Sequence, residues 1–157
     1  AMVLCDQFSS GLMKPYFERL RPGNHPDFKD LVDIVRDHRG SGFSFISGHA
    51  TNSFGFAVFL SLVFRNRWVT LVALVWAIVI SYSRIYLGMH FISDVVGGML
   101  AGTLIAIMMY TLLGWARKKL FTSETLEIKM YPERQGNILA IVFSVYSLCV
   151  LVYGQFL

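Results

Sequence analysis

Two long apolar runs joined by almost nothing constrain this chain most. Phe43 to Phe64 and Trp68 to Leu87 are mostly apolar, and only Arg65-Asn66-Arg67 separates them. A helix that crosses a bilayer needs about 20 predominantly apolar residues, and each run is that long. So short a connection makes the two helices antiparallel neighbours and puts their far ends on one side of a membrane. Phe91 to Trp115 is a third such run, opened through Asp94 and closed by Arg117-Lys118-Lys119, and Ile138 to Leu157 is a fourth. Ala1 to Met13 is apolar but too short to cross, and lacks the basic flank and cleavage pattern of a leader. It is expected to be the last part of a helix that begins upstream. The expected fold is all-α, a polytopic transmembrane helix bundle, with residues 1–157 forming one membrane-embedded domain.

Composition agrees. Hydrophobic residues make up 55% of the 157 and charged residues 15%, against about 45–50% and about 25% in soluble domains. The net charge of +4 sits in short clusters between apolar runs. With no long basic face, nucleic acid is excluded as a partner in favour of membrane lipids or an anionic lipid. Cys5 and Cys149 lie inside apolar stretches without metal-ligand spacing and read as inert thiols. Residues 23–42 are the most polar stretch, hold Pro26 and end in Gly40-Ser41-Gly42, which reads as an extramembrane loop with a short helix at Asp27 to Val35. Gly98 and Gly102, one turn apart in the third run, would let another helix approach closely.

Cation placement sets the topology. Arg65, Arg67, Arg117, Lys118, Lys119, Lys129 and Arg134 fall on one side; Lys14, Arg19, Arg21, Lys29, Arg36, Arg39 and Arg84 fall on the other. Lys14, Arg21 and Arg84 are candidates for chemistry, whereas the Arg65 to Arg67 turn and the Arg117 cluster flank helices directly, where the positive-inside rule is strongest. The loop 23–42 is therefore expected to be extracytoplasmic.

The chemically capable residues collect on that same side. His90 and Asp94 are four apart, so at the start of a helix they share a face, and the carboxylate can orient the imidazole as a nucleophile or base. Ser83-Arg84 precedes them. Ser47-Gly48-His49 begins the Phe43 to Phe64 run, where backbone N–H groups could bind an anion, glycine would admit phosphate closely, and His49 could donate a proton. Lys14 and Arg21-Pro22 add two cations expected near one helical face, and the arginine fork matches phosphate oxygens. Taken singly, each group also reads as structure: an ion pair, a helix cap, a snorkelling basic cluster. Ionisable side chains at membrane depth are costly, and that weighs toward function when all three occur together. His25 and His38 match no motif and read as surface histidines; the alternating acids and bases from Asp27 to Arg39 read as a salt-bridged exposed segment.

In combination the three groups resemble the signature of the type 2 phosphatidic acid phosphatase superfamily. K-x6-R-P falls at Lys14 to Pro22, P-S-G-H at Ile46 to His49, and S-R-x5-H-x3-D at Ser83 to Asp94, with Ile46 where the family usually has proline. The resemblance implies a six-helix phosphatase core, whose first two helices would be missing here, with residues 137–157 as an additional C-terminal transmembrane helix. It implies that His90 attacks phosphorus to form a phosphohistidine, that Asp94 orients it, and that His49 protonates the leaving oxygen and later activates water. Lys14, Arg21, Ser47, Gly48 and Arg84 would hold the phosphoryl oxygens. Three fixed cations can stabilise the transferring group without a metal, and no carboxylate cluster in the motifs suggests Mg2+, so no metal or cofactor is expected.

The implied activity is hydrolysis of a phosphate monoester or diphosphate of a lipid on the outer face of a bacterial cytoplasmic membrane. Undecaprenyl diphosphate, phosphatidylglycerophosphate, phosphatidic acid and lipid A phosphate all remain open as substrates, as does the oligomeric state. A vanadate-dependent haloperoxidase has a similar site but is soluble. A non-catalytic lipid-phosphate binding or transport protein leaves the two histidines and Asp94 unexplained.

Overall fold

The computed structural model describes residues 1–33, 40–120 and 133–153, with side chains as far as Leu148. The chain opens with α1 (Met2–Asp6), widens into a π-helix over Gln7–Met13 and closes with α2 (Lys14–Phe17). A 3-10 turn follows at Pro22–Asn24, then α3 (Gly48–Phe64), α4 (Arg67–Tyr86), α5 (Ile92–Leu120) and α6 (Glu133–Tyr153). The described residues contain no strand; the fold is all-α.

Packing is inverted relative to a water-soluble bundle. Much of the interior is small or polar, as with Ala50, Ala57, Ala73, Ala77, Ser53 and Thr51 beside a few larger side chains such as Ile46 and Phe54, while Leu71, Val75, Ile78, Leu100 and Leu104 face outward. Lipid tails are as apolar as leucine, so a membrane bundle gains little by hiding large aliphatics and is held by close backbone approach instead. The α3–α5 contact does this: a methyl group on Gly98 would stand 2.6 Å from the Ser47 carbonyl oxygen, and one on Gly102 would overlap the Thr51 carbonyl. Trp68 and Trp115 carry Arg67 and Lys119 over their rings at 5.3 and 5.2 Å, an interfacial pairing of aromatic and cation at the end opposite Arg84 and His90.

Among the described residues, α4 and α5 are long and apolar enough to cross a bilayer; the protein is an integral membrane protein. α3 has 17 residues, about 26 Å at 1.5 Å per residue, because Phe43 to Ser47 do not join the helix as expected. Their polar groups are engaged elsewhere: the Ser44 amide donates to the Arg19 carbonyl at 2.7 Å and the Ser47 amide to the Asp94 carbonyl at 2.9 Å. The short helix expected at Asp27 to Val35 is likewise replaced, over its described part, by turns closed on the His25 and Phe28 carbonyls; residues 34–39 lie outside the described residues.

The tight α3–α4 connection pairs these helices as expected. Asn66 caps α4, its Oδ1 accepting from the amides of Trp68 and Val69 at 2.9 and 3.2 Å. Its Nδ2 donates to the Glu133 carbonyl at 3.3 Å and Asn137 Oδ1 at 3.0 Å, pinning the start of α6 beside α4. α6 starts ahead of the expected Ile138, and residues 154–157 lie outside the described residues.

Candidate active site

The ends of α2, α3, α4 and α5 that meet on one side carry the candidate residues. α2 stops after Phe17 because Glu18 turns left-handed, with φ 45°, and Arg21 follows in extended backbone. Lys14 and Arg21 therefore do not share a helical face, contrary to the sequence expectation; the chain reverses between them and brings both cations to bear on His49 and His90. Arg21 is anchored by donating from Nε to the Ser41 carbonyl at 2.9 Å and from Nη1 to the Met89 carbonyl at 3.2 Å. It thus braces the residue just before His90. Arg84 lies in the last turn of α4, donating from Nε to Ser83 Oγ at 3.1 Å, and its charge also acts on His49.

Ser47 is fully buried and is the N-cap of α3, its Oγ accepting from the Ala50 amide at 3.4 Å. Capping of this kind replaces a missing helical partner, and it gives Ser47 a definite structural task besides any contact with an anion. The Gly48 and His49 amides precede the first helical bond, from the Thr51 amide to the Ser47 carbonyl at 3.0 Å. Amides in this position, with the helix dipole behind them, attract anions. Glycine keeps the approach open: a methyl group on Gly48 would stand 3.3 Å from Ser9 Oγ and 3.9 Å from Lys14 Nζ. His49 is exposed on this first turn.

His90 and Asp94 are buried, at 5% and 0% exposure. His90 Nδ1 lies 3.5 Å from Asp94 Oδ2. That contact is not a closed hydrogen bond, and among the described residues Nδ1 has no hydrogen-bond partner. Both Asp94 oxygens are engaged elsewhere: Oδ2 accepts from the Phe91 amide at 2.9 Å, and Oδ1 from Arg19 Nη1 at 2.8 Å. His90 sits in the connection between α4 and α5, where burial pushes its pKa below the ordinary histidine value and Asp94 pulls the other way.

Two residues were misjudged from sequence. Arg19, counted only as a cation on the loop side, reaches the buried Asp94 and also donates to Ser93 Oγ at 2.7 Å. The single sequence trace of this is an extra arginine inside the first motif. His25, read as a surface histidine, is half-buried and its ring lies 5.0 Å from Phe28 and 6.2 Å from Phe91, so the polar loop packs onto the α4–α5 connection. His38 lies outside the described residues.

A small-residue-cored membrane bundle that gathers cations, two histidines and a carboxylate around the start of one helix defines a class of anion-handling membrane protein. This chain belongs to the PAP2 superfamily, whose sequence profile matches residues 1–118. It is 42% identical over 121 residues to the lipid A 4'-phosphatase of Porphyromonas gingivalis, covering 76% of this chain and 50% of that protein. It is 34% identical over 109 residues to the phosphatidylglycerophosphatase B of Bacillus subtilis, covering 64% and 49%. The crystal structure of a transmembrane PAP2-type phosphatidylglycerolphosphate phosphatase from Bacillus subtilis superposes with a TM-score of 0.52 at 30% identity, over 76% of this chain and 60% of that one. The chain spans about half the length of the curated relatives it matches.

Proposed function

We propose that this protein is a lipid phosphatase that hydrolyses a phosphate monoester or diphosphate of a lipid through a phosphohistidine. The observation that carries this reading is the buried His90–Asp94 pair joined to the start of α3 by the bond from the Ser47 amide to the Asp94 carbonyl, with Lys14 and Arg21 near enough to act on both His90 and His49 and Arg84 on His49. With Asp94 beside Nδ1, the imidazole proton belongs on Nδ1 and the lone pair on Nε2, which attacks phosphorus. The three cations, the Ser47 hydroxyl and the Gly48 amide hold the equatorial oxygens as charge spreads over them. His49 donates a proton to the leaving oxygen, then takes one from the water that cleaves the phosphohistidine. Asp94 is committed to protein donors through both oxygens, which suits a reaction run on cations without a metal ion or other cofactor.

Residues 1–157 act as one membrane-embedded domain in this reading, with 23–42 as the extracytoplasmic loop, 137–157 as an added helix and the site on the outer face of the cytoplasmic membrane. The Arg65, Arg67 and Arg117 to Lys119 end of the bundle supports that orientation. Relatives named lipid A 4'-phosphatase, similar over 121 and 102 residues, put lipid A phosphate first among the substrates to try.

Phosphate release from lipid A, phosphatidylglycerophosphate, phosphatidic acid and undecaprenyl diphosphate, measured in detergent with EDTA on the full-length protein, tests the reading. Release from at least one lipid is expected; binding of all four without release would leave a lipid-phosphate binding or transport protein. Acid sensitivity gives a second expected result. Because burial holds His90 neutral to lower pH than a free imidazole, the acid limb of kcat/KM should fall below the ordinary histidine pKa of about 6.5. A limb at or above that value would remove His90 as the group that must be deprotonated.

A further inference from the structure

Asp94 is fully buried, and a buried carboxylate is tolerated only when its charge is compensated and its lone pairs are used. Arg19 supplies that compensation from an unusual position. Its Nη1 is 2.8 Å from Asp94 Oδ1 and 2.7 Å from Ser93 Oγ. Its guanidinium carbon lies 4.2 Å from the centre of the Phe91 ring. Three residues at the start of α5 thus hold one guanidinium plane. The Arg19 carbonyl in turn accepts from the Ser44 amide at 2.7 Å and Ser44 Oγ at 3.2 Å, in the segment that leads to Ser47. Arg19 stands between two cations assigned to the phosphate, yet its own contacts are with Asp94, Ser93 and Phe91.

The consequence for His90 is geometric. With Oδ1 held by Arg19 and Oδ2 by the Phe91 amide, the carboxylate cannot rotate, and Oδ2 is the oxygen presented to His90 Nδ1 at 3.5 Å. We propose that Arg19 is a positioning residue of the reaction, acting through Asp94 to fix the orientation of the His90 imidazole. This rests on the phosphatase reading above. Planarity is needed as well as charge, because a fork can pair with Asp94 and stack on Phe91 together, whereas an ammonium cannot.

The test compares Arg19→Ala and Arg19→Lys in the wild-type and Asp94→Asn backgrounds, by lipid-phosphate kinetics and by 15N NMR titration of His90 in detergent micelles. Expected for Arg19→Ala is a loss of about 10- to 100-fold in kcat, the scale of a misplaced reacting group, with KM little changed. The titration should move upward. His90 is faced by Asp94 of α5, by Lys14 and Arg21 of the first segment and by His49 of α3; Arg84 of α4 bears on His49. All of these remain in the variant, so removing Arg19 leaves Asp94 free to stabilise the imidazolium more strongly. Arg19→Lys should fall between, and Arg19→Ala should add nothing once Asp94 is asparagine. An unmoved His90 titration, or a loss that multiplies with that of Asp94→Asn, overturns the proposal. Absence of phosphate release from the wild type would sink the phosphatase reading and with it the catalytic role of Arg19, while the titration would still decide its coupling to His90.

Discussion

Replacing His90 with alanine is expected to reduce lipid phosphate release by about 10,000-fold or more, the scale on which deletion of a covalent nucleophile acts. Binding should survive. The cations Arg21 and Arg84 are anchored independently of the imidazole: Arg21 on the Ser41 and Met89 carbonyls, Arg84 on Ser83. The start of α3 is held by the Ser47 cap and by the bond from its amide to Asp94. Inorganic phosphate, a ground-state ligand, should therefore bind the variant within about tenfold of the wild type, because the group expected to be lost acts mainly in the transition state. Rapid acid-free quenching with labelled substrate gives the complementary observation: a phosphohistidine in the wild type and none in His90→Ala. A His90→Ala protein that still turned over at a tenth of the wild-type rate would assign the nucleophile elsewhere.

Much of this arrangement was legible because its signals are local. The Arg65-Asn66-Arg67 turn leaves two helices no choice but to pair. Gly98 and Gly102 repeat at helical spacing, and both meet α3 backbone. The family membership was carried by three motifs whose residue types and order are specific. What escaped was set by contacts distant in sequence. The start of α3 is delayed to Gly48 because Ser44 and Ser47 bond to the Arg19 carbonyl and the Asp94 carbonyl, partners that no hydropathy window contains. Lys14 and Arg21 lost their common helical face because one residue, Glu18, takes a left-handed conformation, unusual for a non-glycine residue and without a sequence signature. Arg19 was invisible for the same reason: its partner is 75 positions away. His25 reads as a loop residue until Phe28 and Phe91 are seen to flank it.

The α3–α5 contact is where fold and chemistry depend on the same atoms, and Gly102→Ala should expose this most severely. The added methyl group would overlap the Thr51 carbonyl and lie 2.9 Å from the Gly55 amide nitrogen. Both obstacles are backbone, so no side chain can swing aside, and the two helices must part. Overpacking of this kind costs on the order of 3 kcal/mol. In a bilayer no hydrophobic force between helices offsets the lost close packing. Parting α3 from α5 would also break the bond from the Ser47 amide to the Asp94 carbonyl, moving the anion-facing amides away from His90. Gly102→Ala should therefore lower the thermal midpoint in detergent and lose most phosphatase activity in the surviving folded fraction. Gly114→Ala in the same helix is the control: no described residue stands within 4 Å of that position, and alanine favours a helix by about 1 kcal/mol over glycine, so its midpoint should hold or rise. Equal midpoints for the two variants would mean that close backbone approach of α3 and α5 is not what holds the bundle together, and the shared geometry of the site would have to be sought in another contact.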